Sequence, residues 1–134
     1  MAGYSKRSLV EKLGIKGGQK VYIGNAPPGY ARTLGRVPDK AMLVKSLSAL
    51  CDFIHFFTRE KAELEAEFPR LKKHLAPAGV LWVSWPKGAA KVPTDVNENI
   101  AREIGLKNGL VDVKVCAVDD VWSGLKFVFR LKDR

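Results

Sequence analysis

The segment Gly79–Gly88 reads GVLWVSWPKG and decides the fold of this chain. Residues 80–85 form a short apolar run of β-branched and aromatic residues, which is typical of a strand buried on both faces of a parallel sheet. Pro86 has no amide proton for a ladder hydrogen bond, so the strand must end there. In open α/β sheets, ligands bind outside the carboxyl ends of the strands. The segment therefore predicts a central strand and, in the loop after it, a place for a ligand.

The length of 134 residues indicates a single domain over residues 1–134, and a composition with 46% apolar and 28% charged residues is typical of a globular protein. No stretch reaches the ~20 apolar residues of a membrane span, and no apolar signal region follows Met1. We therefore expect a cytoplasmic protein with no membrane partner. Cys51 and Cys116 form no CxxC pair, and with only two histidines the sequence predicts no metal site.

The net charge of +9 requires a hypothesis about partners. Five basic residues and only Glu11 as an acid lie within residues 1–20. This balance is compatible with a nucleic acid, an anionic small molecule or an acidic partner protein, and also with a merely solubilising surface.

Hydrophobic periodicity predicts the order of the elements. Strands are expected near Lys20–Gly24, over Ala41–Leu47 and over Asp52–Phe57, before the central strand. Thr58 is expected to cap a helix that Pro69 kinks or divides, and Thr94 to cap a second helix that ends at Asn108-Gly109.

Two alternating stretches, residues 111–117 and 125–131, follow the second helix and are joined through Asp119–Gly124. They predict an antiparallel hairpin. The fold class expected is therefore α/β, with a mostly parallel Rossmann-like sheet flanked by helices and a C-terminal antiparallel β-hairpin.

This order resembles the class I S-adenosylmethionine methyltransferase fold, shortened by a strand and a helix in its first half. The resemblance implies a glycine-rich loop after the first strand, for the methionine part of the cofactor, and an acid after the second, for the ribose hydroxyls. The corresponding loop here is GNAPPG at residues 24–29, and the second strand ends near Lys45-Ser46. Because both motifs are absent, no cofactor is expected, and S-adenosylmethionine stays as the alternative.

A closer resemblance is to a small bacterial family defined as a domain of unknown function. It covers most of the chain and depends on Lys12–Lys16, Gly79–Trp82 with Pro86-Lys87, Thr94-Asp95, Gly109-Leu110 and Trp122–Gly124. It implies the fold and brings no activity.

The candidate ligand-binding residues lie in the loops after the strands. They are Asn25, Gly29, Tyr30, Trp85, Lys87, Asp119 and Trp122. Asn25 could hydrogen-bond a polar ligand, Lys87 could neutralise an anion and Trp85 could stack on a flat group. The alternatives are a turn residue for Asn25, a solvated charge for Lys87 and core filling for the tryptophans.

No catalytic residue is predicted. Ser84 lacks the flanking glycines of a nucleophile elbow, and no histidine can be assigned to it from the sequence. His55 is expected to be buried and hydrogen-bonded to something local. Cys116 alternates with apolar valines and could be an accessible thiol.

Three hypotheses on function follow. The leading one is a non-catalytic methyltransferase-like protein that binds an anionic or aromatic small molecule, or a protein, at the strand ends. The alternatives are a divergent S-adenosylmethionine-dependent methyltransferase and a basic nucleic-acid-binding module.

Overall fold

A six-stranded sheet forms the centre of the protein in the computed structural model, which describes residues 8–134. The strands are β1 Lys20–Gly24, β2 Met42–Val44, β3 Cys51–Phe57, β4 Leu75–Pro86, β5 Leu110–Ala117 and β6 Trp122–Phe129. Their order across the sheet is β2-β1-β3-β4-β6-β5. Strands β1 to β4 are parallel to one another, and β6 runs antiparallel to both β4 and β5. The predicted fold class is confirmed.

Strand β4 occupies the central position that the sequence predicted. It lies between β3 and β6 and ends at Pro86. Trp82 is fully buried, and its indole Nε1 donates a hydrogen bond of 2.9 Å to the carbonyl of Leu13. Burial of this large side chain ties the middle of the sheet to the amino-terminal helix.

Helices cover both faces of the sheet. They are α1 Leu9–Leu13, α2 Tyr30–Leu34, α3 Lys61–Lys73 and α4 Glu98–Lys107, with 3-10 turns at Gly88–Ala90 and Leu131–Asp133. Side chains of α1 and α2 pack with Val21, Phe53 and Trp82 in one core. Side chains of α3 and α4 pack with alternate residues of the same strands in a second core on the opposite face.

Helix α4 approaches the sheet closely at Gly105. A Cβ atom at this position would lie 2.0 Å from the buried ring of Phe127 in β6. Only glycine permits this packing distance, since any larger side chain would displace the ring.

Strand β2 is shorter than the predicted strand over Ala41–Leu47. Among the strands of residues 8–134 it pairs only with β1, and it contains just Met42–Val44. Met42 and Leu43 are about half exposed, because β2 lies at the edge of the sheet. Short edge strands of this kind are common because they limit pairing with other chains.

Helix α3 begins later than predicted and is not divided. Glu60 precedes its first turn, and the Thr58 hydroxyl instead accepts a hydrogen bond of 3.1 Å from the Glu60 amide. A single helix continues through Pro69. Phe68 and Leu71, on either side of Pro69, are both fully buried, so packing offsets the lost amide donor.

Helix α4 is capped by Asn97 and not by Thr94. The Asn97 side chain accepts from the amide of Ile100. The hydroxyl of Thr94 instead donates a hydrogen bond of 2.7 Å to the carbonyl of Arg59 and accepts one from the amide of Val96. It joins the segment after β4 to the end of β3.

Within residues 8–134, none of the helices combines the length and apolar character needed to cross a membrane.

Candidate functional site

A cavity of about 610 Å³ opens at the carboxyl ends of β1 and β3. Strand β1 has β2 on one side and β3 on the other, so the strand order reverses between β1 and β3. This reversal is where open α/β sheets bind ligands. The walls come from residues 25–28 after β1, residues 57–60 and Glu63 at the junction of β3 and α3, Val92, and residues 121–122 at the hairpin.

One wall of the cavity carries charges of both signs. Arg59 and Glu60 are exposed on it, and Glu63 lies in the first turn of α3. Thr58 is buried and its Oγ1 donates a hydrogen bond of 2.6 Å to Glu63 Oε1. The helix amino terminus also favours a carboxylate here. The cavity is therefore lined by one hydrogen-bonded acid, Glu63, and by the exposed Arg59.

Asn25 connects the two strands whose ends form the cavity. Its backbone is left-handed, with φ of 57°, and its Nδ2 donates to the carbonyl of Phe57 at 3.2 Å. Asparagine tolerates this conformation better than most residues. The loop after β1 is thereby held against the end of β3.

A chain of buried hydrogen bonds lies beneath the cavity. The Tyr30 hydroxyl and His55 Nδ1 are 2.7 Å apart, and His55 Nε2 and Ser84 Oγ are 2.6 Å apart. His55 and Ser84 are fully buried and Tyr30 is 5% exposed. Burial lowers the pKa of His55 to about 3 and raises the pKa of Tyr30. The imidazole is therefore neutral, with one nitrogen donating and the other accepting.

These hydrogen bonds of His55 correct two predictions from the sequence. Ser84 does have a histidine partner, which comes from the neighbouring strand and is 29 residues away. His55 is buried as predicted, but neither of its partners is local. Ser84 is closed off from solvent and from the cavity, so the arrangement is not that of an exposed nucleophile.

The hydrogen-bonded residues Tyr30 and His55 lie behind the aromatic wall of the cavity, which Phe57 and Trp122 form. The ring of Tyr30 meets Phe57 edge to face at 4.9 Å, and Phe57 meets Trp122 in the same way at 5.2 Å. Phe57 and Trp122 both line the cavity. Tyr30 and His55 therefore act as positioning residues behind that wall.

Two of the predicted site residues, Asn25 and Trp122, line the cavity. Gly29 precedes α2 with φ of 83°, and Tyr30 is buried behind the wall. Asp119 is used by the hairpin, because its Oδ1 accepts hydrogen bonds of 2.8 Å from the amides of Val121 and Trp122.

Trp85 and Lys87 lie outside the cavity. Trp85 shares its face of β4 with Leu81 and Val83 and is 5% exposed in the core beneath α3 and α4, so it cannot stack on a ligand. The amide of Lys87 donates to the carbonyl of Val121 at 2.8 Å. The loop after β4 therefore supports the hairpin, and only Val92, farther along, reaches the cavity.

Sequence reasoning missed Thr58, Arg59, Glu60 and Glu63. A signal existed, because Thr58 directly follows a buried strand, and strand carboxyl ends are where ligands bind. Thr58 was interpreted only as a helix cap, so its position at the end of the strand was not used to predict a site. No group of three His, Cys, Asp or Glu residues within the part of the chain that the structure describes could hold a metal ion.

Comparison with known proteins gives no match to a protein-family model or to a curated protein sequence. Solved structures do match. An S-adenosylmethionine-dependent methyltransferase from Aquifex aeolicus superposes with a TM-score of 0.64 at 15% identity, over 89% of this chain and 86% of its own. The fold is that of the S-adenosylmethionine-dependent methyltransferases.

Two further structures support the methyltransferase fold. A TehB-like methyltransferase from Corynebacterium glutamicum has a TM-score of 0.57 at 12% identity, over 96% of this chain and 91% of its own. A ribosomal protein L11 methylase from Lactobacillus delbrueckii subsp. bulgaricus has a TM-score of 0.59 at 15% identity, over 91% and 75%. The resemblance to the small bacterial family stays a prediction.

These comparisons contradict the leading prediction on function. Further solved structures that share the fold are methyltransferases with S-adenosylmethionine or its demethylated product bound. They favour the alternative methyltransferase hypothesis over a non-catalytic binding protein.

Proposed function

We propose that this chain is an S-adenosylmethionine-dependent methyltransferase whose cavity at the ends of β1 and β3 receives the cofactor and the methyl acceptor. The observation that carries the proposal is the position of the cavity, at the reversal of strand order in a sheet with methyltransferase topology. Its volume of about 610 Å³ lies within the range of small-molecule sites.

The side chains of the cavity suit the chemistry of the cofactor. S-adenosylmethionine carries an ammonium group, a sulfonium, a carboxylate and two ribose hydroxyls. Glu63, fixed by Thr58, would hold a cationic or hydroxyl group, and Arg59 would pair with the carboxylate. Trp122 would provide aromatic surface for the adenine or the sulfonium, and the buried Phe57 would support it from behind.

One element of the usual cofactor site is replaced in this proposal. Strand β2 ends at Val44, and the exposed Lys45 and Ser46 that follow it do not line the cavity. An acid at the end of the second strand is therefore absent. Glu63, at the beginning of α3, would supply the carboxylate instead.

The residues of the chain would bind and orient, while the bound cofactor supplies an electrophilic methyl group. The aromatic wall and the two prolines, Pro27 and Pro28, would exclude water from one side of the cavity. Glu60, exposed on the charged wall, would take the proton that the acceptor loses.

Calorimetric titration with S-adenosylmethionine tests the proposal. We expect saturable heat for the wild-type protein and roughly tenfold weaker binding for Glu63→Gln. The variant keeps the shape of the side chain but loses a charge-assisted hydrogen bond, and a tenfold change corresponds to about 1.4 kcal/mol.

The matched control is Glu65→Gln, which removes the same charge from the exposed face of α3, away from the cavity. It should bind like the wild-type protein. Absence of heat and of any thermal shift with millimolar cofactor would rule out the proposal. Equal weakening by both variants would exclude Glu63 as a cofactor ligand.

A further inference from the structure

Three lysines gather on the α1 face of the sheet, beyond the part that α1 and α2 cover. Lys114 in β5 and Lys126 in β6 are directly opposite each other in the ladder, so their side chains share one face. Lys126 is also opposite Trp82, which packs against α1, and this identifies the face. Lys16 lies in the loop after α1, near enough for its charge to act on Lys126. We call these three residues the lysine face.

The gathering costs stability, because like charges that are directly opposite in a sheet repel each other. Lys126 is half-buried, and its pKa is lowered first by burial and then by the charges of Lys114 and Lys16. None of the ion pairs found within residues 8–134 includes a lysine of this face. Within residues 8–134, the fold thus brings three positive charges together, and none of them forms an ion pair with an acid.

We propose that the lysine face binds the phosphodiester backbone of a nucleic acid. A row of phosphates would neutralise all three charges, whereas a single small anion would reach only part of the row. The net charge of +9 would favour the approach of a polyanion. The described helices bury their apolar sides against the sheet, so none offers the free amphipathic face with which proteins adhere to membranes.

The lysine face also leads to the cavity. Trp122, which lines the cavity, lies on the same face of β6 four residues before Lys126, a distance of about 13 Å along a strand. A nucleic-acid strand bound to the lysine face would therefore pass the cavity. We accordingly expect the methyl acceptor to be a nucleic acid. This last step rests on the proposed methyltransferase function, while the binding itself does not.

Fluorescence anisotropy with a labelled, mixed-sequence single-stranded RNA, in the absence of S-adenosylmethionine, tests the inference. Each phosphate contact contributes a slope of about −0.7 to the logarithm of affinity against the logarithm of salt concentration. We expect the Lys114→Gln/Lys126→Gln variant to lose about 1.4 of this slope and to bind roughly tenfold more weakly at low salt. Since the change relieves repulsion, the variant should melt no lower than the wild-type protein.

The control is Lys73→Gln/Lys107→Gln, which removes two exposed charges from α3 and α4 on the opposite face. It should leave the slope and the affinity nearly unchanged. The inference would be overturned by absence of RNA binding, by equal effects of the two double variants, or by binding only to phosphatidylserine vesicles. Because the assay contains no cofactor, any of these results leaves the calorimetric test of methyltransferase function separate.

Discussion

The His55→Leu variant should lose about 2–6 kcal/mol of unfolding free energy, because each of two buried hydroxyls left without a partner costs about 1–3 kcal/mol. These hydroxyls belong to Tyr30 and Ser84, which His55 joins through hydrogen bonds of 2.7 and 2.6 Å. Leucine fills a similar volume, so the loss reports the hydrogen bonds more than a cavity. Urea unfolding measures it.

The Tyr30→Phe/His55→Leu/Ser84→Ala triple variant separates this explanation from a simple packing defect. It removes all the polar groups together and leaves none without a partner, so it should be more stable than His55→Leu alone. A triple variant no more stable than the single one would show that the buried chain does not act as a unit.

Acid should destabilise the wild-type protein in part through His55, the second large effect we expect. The folded-state pKa of His55 is about 3, whereas an unperturbed histidine has a pKa of 6.5. Below pH 6.5 the unfolded chain binds a proton that the folded protein does not bind, so stability is complete above pH 6.5 and falls toward pH 3. The free energy of unfolding falls by about 1.4 kcal/mol per pH unit in this range. At about pH 4, His55 should therefore have lowered it by roughly 3 kcal/mol.

Urea unfolding between about pH 7 and about pH 4 should therefore show a shallower pH dependence in His55→Gln than in the wild-type protein. His74→Gln is the matched control, since His74 is the only other histidine and is partly exposed. It should retain the wild-type slope. Parallel curves for the wild-type protein and His55→Gln would mean that His55 is not buried in the neutral form.

Much of the fold could be predicted because it depends on local patterns. The apolar run before Pro86 identified the central strand, and the alternation in residues 111–117 and 125–131 identified the hairpin. Errors occurred where tertiary contacts override local signals. Thr58 and Thr94 both have capping chemistry, but both hydroxyls are engaged at the junction between β3 and α3 instead.

The site was harder to predict because it depends on the register between strands that are far apart in the sequence. His55 meets Ser84 only because β3 and β4 are parallel and paired Phe57 to Ser84. Trp85 was predicted to contact a ligand because it lies at the end of the central strand. Side chains alternate between the two faces along β4, however, and that of Trp85 points into the core under α3. Asn25 and Trp122 both line the cavity because strand order places their loops at the same end of the sheet.

The most direct test of the proposed site is a crystal structure of the protein with S-adenosylhomocysteine, the demethylated form of the cofactor. We expect ligand density in the cavity between Asn25, Phe57 and Glu63, with a polar group of the ligand within hydrogen-bond distance of the Glu63 carboxylate. Density at the end of β2 beside Lys45, with the cavity empty, would contradict the proposal that Glu63 replaces the missing acid.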